Sequence, residues 1–256
     1  MKKVRTYMIA FGVLLLLWQG LASAGLFPES LFPSPLQVGR ALWARAASGA
    51  LLLDVGASMY RFFLGYLSAC IAGVLLGLLL GWFSKAWTYL NPIVQFLRPI
   101  SPVAWLPFIV LWFGIGDVPA IVIIFIAAFF PVLLTTVTAV HNLDPVYLKI
   151  SDNFGLKRAQ TLFGIVFPAI FPQITNALHI AVGTAWIFLV VGEMAGSQSG
   201  LGYLIVDARN NLQTDNLMAA IVVIGILGII LDQLMRCAQD WAGQRWGFKT
   251  QEEAED

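Results

Sequence analysis

Four ionisable residues sit in stretches otherwise apolar enough for a bilayer: Arg98, His179, Glu193 and Asp232. A charge there is costly, so each such residue needs a partner or a purpose. Arg98 either attracts an anionic solute or snorkels toward the nearer surface. Glu193 either pairs with Arg61 or Arg209, or lines a gate. His179 reads as a hydrogen-bonded packing residue or as a proton relay. Asp232 lies one helical turn before Arg236, the right spacing for an ion pair. Trp105, Trp112 and Trp186 are candidates for the wall of a path, although membrane helices also carry such aromatics for packing. The scattered serine, histidine and aspartate residues form neither a nucleophile elbow nor a metal-ligand spacing, so neither catalysis nor a metal is expected. Cys70 and Cys237 are expected as small buried hydrophobes, not as a disulfide.

The elements that must hold these residues follow from composition. Of 256 residues, 59% are hydrophobic and 11% charged. Mean hydropathy is +0.81. So little charge cannot cover the surface of a soluble domain of this length. The net charge of +1 gives no reason to expect a nucleic-acid partner. The chain reads as an all-α polytopic membrane protein in contact with lipid.

A crossing helix needs roughly 20 mainly apolar residues. Six such stretches are expected. The first, Tyr7 to Gly25, follows Lys2, Lys3 and Arg5; Ala22-Ser23-Ala24 has the form of a cleavage site, but the helix is expected to be retained as an anchor. A more polar stretch, Leu26 to Asp54, carries Pro28, Pro33 and Pro35 and an amphipathic piece, Val38–Ala47, suited to the membrane surface. The second span, Ser58 to Trp82, has Gly65, Ala69, Gly73, Gly77 and Gly81 at every fourth position, a smooth stripe on which another helix can lie closely.

The third span, Pro92 to Phe113, is expected to be irregular. Arg98-Pro99-Ile100-Ser101-Pro102 and Trp105-Leu106-Pro107 forbid a continuous helix. Broken backbone survives in a membrane only against protein or a water-filled cavity, so this segment is a candidate pore lining. Arg98, Ser101, Trp105, Trp186 and Glu193 are the candidate path residues. The alternative is a plain proline kink packed on neighbouring helices. After the turn Gly114–Asp117 come a fourth span (Val118–Val140), a polar loop (His141–Leu162), a fifth span (Ile165–Met194), a second polar loop (Ala195–Asn216) and a sixth span (Leu217–Met235).

Basic residues orient the chain. With the N-terminus inside, ten inner positions (Lys2, Lys3, Arg5, Lys85, Lys149, Lys157, Arg158, Arg236, Arg245, Lys249) stand against four outer ones (Arg40, Arg45, Arg61, Arg209). Both termini are then cytoplasmic. So is the 141–164 loop. The acidic end Glu252–Asp256 reads as a solvated tail.

That loop holds a short helix. Asp144 can cap it, Pro145 suits its first position, and Gly155 can end it. Tyr147, Ile150, Ser151 and Phe154 fall on one side at helical spacing. Such an apolar face either packs on the chain's own helix ends or enters a groove on a partner.

Gly155, nine residues, and Ile165-Val166-Phe167-Pro168 resemble the permease signature of binding-protein-dependent ATP-binding-cassette importers. In that signature Glu-Ala-Ala, three residues, Gly, nine residues and Ile-x-Leu-Pro follow in order. Here Lys149-Ile150-Ser151 stands where Glu-Ala-Ala is expected and Phe167 replaces Leu, with the Gly-to-Pro spacing intact. Leu31–Pro35, Leu97–Ile100, Ala104–Pro107, Leu111–Gly116, Val191–Met194, Ser199–Tyr203 and Thr214-Asp215 are similar to the nitrate/sulfonate/taurine/bicarbonate branch.

The resemblance implies a type I importer bundle in a bacterial inner membrane, paired with ABC ATPase subunits and a periplasmic or lipid-anchored solute-binding protein. A second copy of the chain is the simplest other permease, since two ATPases need two docking helices. Asp144, Tyr147, Ile150, Ser151, Phe154, Gly155, Leu156 and Lys157 would form the ATPase contact. ATP and Mg would bind to the ATPase. The chain has no Gly-x-x-x-x-Gly-Lys-Ser/Thr loop of its own, and Ser197–Gly202 reads as a turn. The implied cargo is a small anion, with taurine-like sulfonates ahead of nitrate or bicarbonate. An ion-gradient-driven secondary transporter is the alternative; it calls for midplane carboxylates and a repeat between halves. The expected divisions are an anchor at 1–25, an interfacial segment at 26–57, a permease core at 58–238 and a tail at 239–256.

Overall fold

The computed structural model describes residues 2–25, 28 and 31–246. The acidic end and Lys249 lie outside these. The described residues form helices and connecting turns, in the order α1 (Lys2–Ser23), α2 (Pro35–Ala47), α3 (Ala50–Trp82), α4 (Ser84–Leu97), a 3₁₀ turn (Pro102–Trp105), α5 (Leu106–Phe113), α6 (Asp117–His141), α7 (Pro145–Asn153), α8 (Arg158–Thr161), a π turn (Leu162–Val166), α9 (Phe167–Ala169), α10 (Phe171–Gly196), α11 (Leu201–Asn210) and α12 (Thr214–Trp246). Four of these, α3, α6, α10 and α12, are long and apolar enough to cross a membrane. The pair Ser84–Leu97 and Pro102–Phe113, bent by 84°, makes a fifth candidate. In α1 the apolar part, Ile9–Ser23, is shorter, so the sixth crossing rests on that helix.

α6 is the centre of the bundle, with α3 on one side and α10 on the other. The glycine stripe explains how close α3 comes. A Cβ added at Gly77 would stand 2.6 Å from Thr136 Cβ, one at Gly81 2.7 Å from Val140 Cβ, and one at Gly65 2.7 Å from Ile124 Cβ. No side chain fits there, so the two backbones meet over more than four turns. α10 uses the same device at Gly192, where a Cβ would lie 2.9 Å from Ala120 Cα. Between these helices Phe62, Tyr66, Ile124, Ala128, Trp186 and Leu189 form the main core.

Several boundaries differ from the sequence reading. α3 starts at Ala50, not Ser58, because Asp54 pairs with Arg45 at 3.0 Å and so does not interrupt it. α4 starts at Ser84 and runs through Pro92; the real break is at residues 98–101. The fifth span is not one helix from Ile165. Helical backbone already begins at Arg158 and runs through α8, the π turn and α9, with a single non-helical residue, Ile170, before α10. This entry segment, where Pro168 and Pro172 each lack a backbone donor, is the elbow. The loop Ala195–Asn216 contains α11, whose Leu201, Leu204 and Ala208 are buried. α12 continues to Trp246, so no structural break separates a core ending at 238 from a tail. Cys70 is buried as expected, but Cys237 is exposed on this polar extension.

Candidate functional site

A cavity of about 860 Å³ opens beside α6. One wall is the bend between α4 and α5, with Arg98, Ile100 and Pro102. The second is α6, with Phe130, Pro131, Leu134, Thr135 and Thr138. The third is α10 and the residue ahead of it, with Ile170, Gln173, Thr184 and Phe188. The cavity reaches down to Asn142, Asp144 and Tyr147 at the start of α7. Arg98 and Asp144 are its charged wall residues, at different levels. Asp144 is already engaged, its Oδ1 accepting the Val146 N–H at 2.9 Å as a helix cap. Arg98 is exposed and makes no ion pair among the described residues. The broken span thus presents a guanidinium to a mostly apolar space in which Thr135, Thr138, Thr184, Asn142 and Gln173 bring hydroxyl and amide groups.

Of the other path candidates, none is on this wall. Ser101 is exposed beside the bend and Trp105 packs against the small core of Leu106, Ile109 and Ile123. Trp186 is buried, donating from Nε1 to the Ile224 carbonyl at 3.1 Å and standing edge-on to Phe62. Glu193 is fully buried.

Glu193 belongs to a polar knot at the far end of the bundle. Its carboxylate accepts from Arg61 Nη1 at 2.7 Å, from Ser58 Oγ at 2.9 Å and from the Gly202 N–H at 2.9 Å. Arg61 also contacts Asp117 (Nε to Oδ1, 2.7 Å), the Ser199 carbonyl (2.7 Å) and Ser199 Oγ (2.6 Å). Ser58 Oγ accepts the Leu201 N–H at 2.9 Å. One guanidinium therefore joins α3, α6, α10 and the turn into α11. Gly200, with φ +100°, is required here, since a Cβ would run into Glu193 Oε1 and Arg61 Nη1. Pairing of Glu193 with Arg61 was among the sequence alternatives. The parts of Ser58, Asp117 and Ser199 were not, because residues more than 50 positions apart have no common pattern in the chain.

His179 is a packing residue that binds on both sides of its ring. Nε2 is 2.7 Å from Asp232 Oδ1 and Nδ1 is 2.8 Å from Gln239 Oε1. Asp232 Oδ2 also accepts from Arg236 Nε at 3.0 Å, the one-turn pair its spacing predicts. Gln239 in turn donates to the Thr175 carbonyl at 2.8 Å. These bonds tie α10 to α12.

At the α7 end the bundle is open. Gly155, at φ +64°, ends the helix as expected. Phe154 is 78% exposed, Tyr147 44% and Ile150 41%. Leu156 and Lys157 are also exposed. Ser151 departs from the expected face: it is buried, with its hydroxyl bonded to the Leu148 carbonyl at 2.8 Å. One turn of α7 thus leans on its own chain, Tyr147 edges the cavity, and Ile150 with the following Phe154 stands exposed.

The profile of the family described as "Binding-protein-dependent transport system inner membrane component" matches residues 71–247. The chain is 32% identical to the taurine transport system permease protein TauC of Escherichia coli over 241 residues, 91% of this chain and 88% of that one. It is 34% identical to the nitrate import permease protein NrtB of Leptolyngbya laminosa, over 89% of this chain and 83% of the relative. Among solved structures, the inward-facing MetNI methionine ABC transporter shares the fold with a TM-score of 0.63 at 20% identity, covering 75% of this chain and 94% of that one.

Proposed function

This chain belongs to the binding-protein-dependent transport system inner-membrane components, and from that membership we propose that it lines the path of a small anion and receives the ATPase stroke through α7. It is the permease subunit of an ABC importer, a multi-pass inner-membrane protein. The finer reading is a cargo of the sulfonate, taurine or nitrate kind, moved through a pore completed by a second copy of the chain. ABC ATPases sit on the α7 side, a solute-binding protein sits on the Arg61 side, and both termini face the cytoplasm.

The observation that carries this reading is α7 itself. Four apolar side chains, Val146, Tyr147, Leu148 and Ile150, stand exposed on a short, capped helix outside the lipid-crossing segments, where water would surround them, and Phe154 just past its end makes a fifth. An exposed apolar face rimmed by polar residues marks a protein contact. Two further features support the rest. Among the described residues α4 has none that are buried, and Tyr89 and Phe96 are 81% and 73% exposed, as a helix awaiting a second copy would be. Arg98 supplies the one positive wall charge of the cavity, which favours an anionic cargo. The ion-gradient alternative has nothing comparable, since Glu193 is already held by Arg61, Ser58 and Gly202.

The test is co-purification with the neighbouring ATPase. Phe154→Asp places a charge on the docking face, and removing such an anchor costs about 2 kcal/mol or more, roughly 30-fold in affinity. The variant should insert normally and lose the ATPase. Retention of the ATPase at wild-type level refutes the docking role. Transport by the chain with no ATPase present refutes the importer mechanism.

A further inference from the structure

On the side of α3 away from the stripe there is a groove of about 410 Å³ with no polar lining. Its α3 wall is Cys70, Ile71, Val74, Leu75 and Leu78; its other wall is the aromatic row Phe163, Phe167 and Phe171, continued by Leu178. The row comes from the elbow. Phe167 and Phe171 are one α-helical turn apart, with ring centroids at 6.0 Å. The wider π turn over Leu162–Val166 brings Phe163 into line with them, while Leu162, Val166 and Ile170 turn inward to the core.

The two walls run antiparallel. Tyr66 Oη donates to the Leu178 carbonyl at 2.9 Å at one end, and Leu78 packs with Leu162 and Val166 at the other. From Cys70 to Leu78 the groove is about 12 Å long at 1.5 Å per residue. Beyond its Phe163 end, on the turn that opens the elbow, stand Lys157 and Arg158. Both are exposed and neither makes an ion pair among the described residues.

Those observations select the occupant. The α3 wall belongs to a helix long and apolar enough to cross a membrane, and a groove on such a helix would open to hydrocarbon. A helix about 10 Å across would need roughly twice the groove's volume over that length. A single extended hydrocarbon chain needs far less. Two unpaired cations at one end of an apolar channel match an anionic headgroup joined to such a chain, and basic clusters at a membrane surface attract anionic lipid. We propose that the groove seats one acyl chain of an anionic phospholipid, its phosphate held by Lys157 and Arg158. The lipid then fills the gap between α3 and the elbow next to α7. This seat depends on the bilayer alone and not on what the pore carries.

The test uses the complete complex, with its ATPases, in nanodiscs of phosphatidylcholine and phosphatidylglycerol. Each lipid in turn carries a photoreactive diazirine in its acyl chain, and adducts are mapped by peptide mass spectrometry. The phosphatidylglycerol probe should label residues 70–78 and 163–171 more than the phosphatidylcholine probe, by about fivefold for each basic residue engaged. Arg158→Glu should bring the two probes close to equality. Leu75→Trp, which fills the groove, should lower labelling by both. Equal labelling of the wild type by the two probes overturns the proposal, and that comparison needs no variant to fold. So does a cross-link from residues 70–78 to another polypeptide, which would make the groove a protein interface.

Discussion

The two ends of the bundle treat their awkward groups in opposite ways. At one end, a buried guanidinium and a buried carboxylate are surrounded by donors and acceptors drawn from four elements, and Gly200 and Gly202 let the backbone close on them. At the other, α7 leaves Tyr147, Ile150 and Phe154 outside. The charges of the first end are paired within the chain. The second leaves an apolar surface uncovered. A subunit moved from one side, as proposed above, would need both.

The largest test of this contrast removes the guanidinium. Arg61→Ala leaves Glu193 buried beside Ser58 with no counter-charge, and breaking such a pair costs about 3–5 kcal/mol. Unfolding of the purified protein in detergent should shift by that amount, without any direct effect on α7. A loss below about 1 kcal/mol would mean that the knot does not hold this end together.

Next is the seam between the ends. Gly77→Val puts a branched side chain where a Cβ already meets Thr136 Cβ at 2.6 Å. Overpacking of this kind costs about 1–3 kcal/mol. The same unfolding measurement should show it, and an unchanged midpoint would mean that α3 and α6 can move apart.

At the open end the effect should be smaller and different in kind. Gly155→Ala keeps φ +64° only with strain of about 1 kcal/mol. ATPase binding should weaken by about fivefold, read by titration, while the unfolding midpoint stays in place. A shift in the midpoint instead would show that α7 is part of the core.

The smallest change concerns the polar tie nearest the open end. His179→Ala removes the bonds to Asp232 and Gln239. Interhelical hydrogen bonds in membranes average about 0.6 kcal/mol each, so losing the two should shift unfolding by about 1 kcal/mol. A loss as large as that of Arg61→Ala would erase the difference between the two ends.

Much of this was legible along the chain. Long apolar runs, prolines at 99, 102 and 107, and glycine at every fourth position specify spans, a bend and a smooth face through rules that act within a few residues. The α7 helix was readable for the same reason, since its cap, first-turn proline and terminal glycine are all local signals. What the chain did not show are the features that join distant positions. α11 lay unseen in a polar loop because its buried face is formed by packing against α10 and α12. Glu193 and Trp186 looked like path residues, yet packing turns both into the core and leaves Arg98 on the cavity wall. Ser151 shares a helical face with Tyr147 and Phe154 by spacing, but α7 meets the Leu162–Val166 turn and Ser151 is buried. Local periodicity determines which residues are helical and which side of a helix is smooth. Only the assembled bundle decides what each side meets, because that depends on groups brought together from more than a hundred residues apart, as Ser58, Arg61 and Glu193 are.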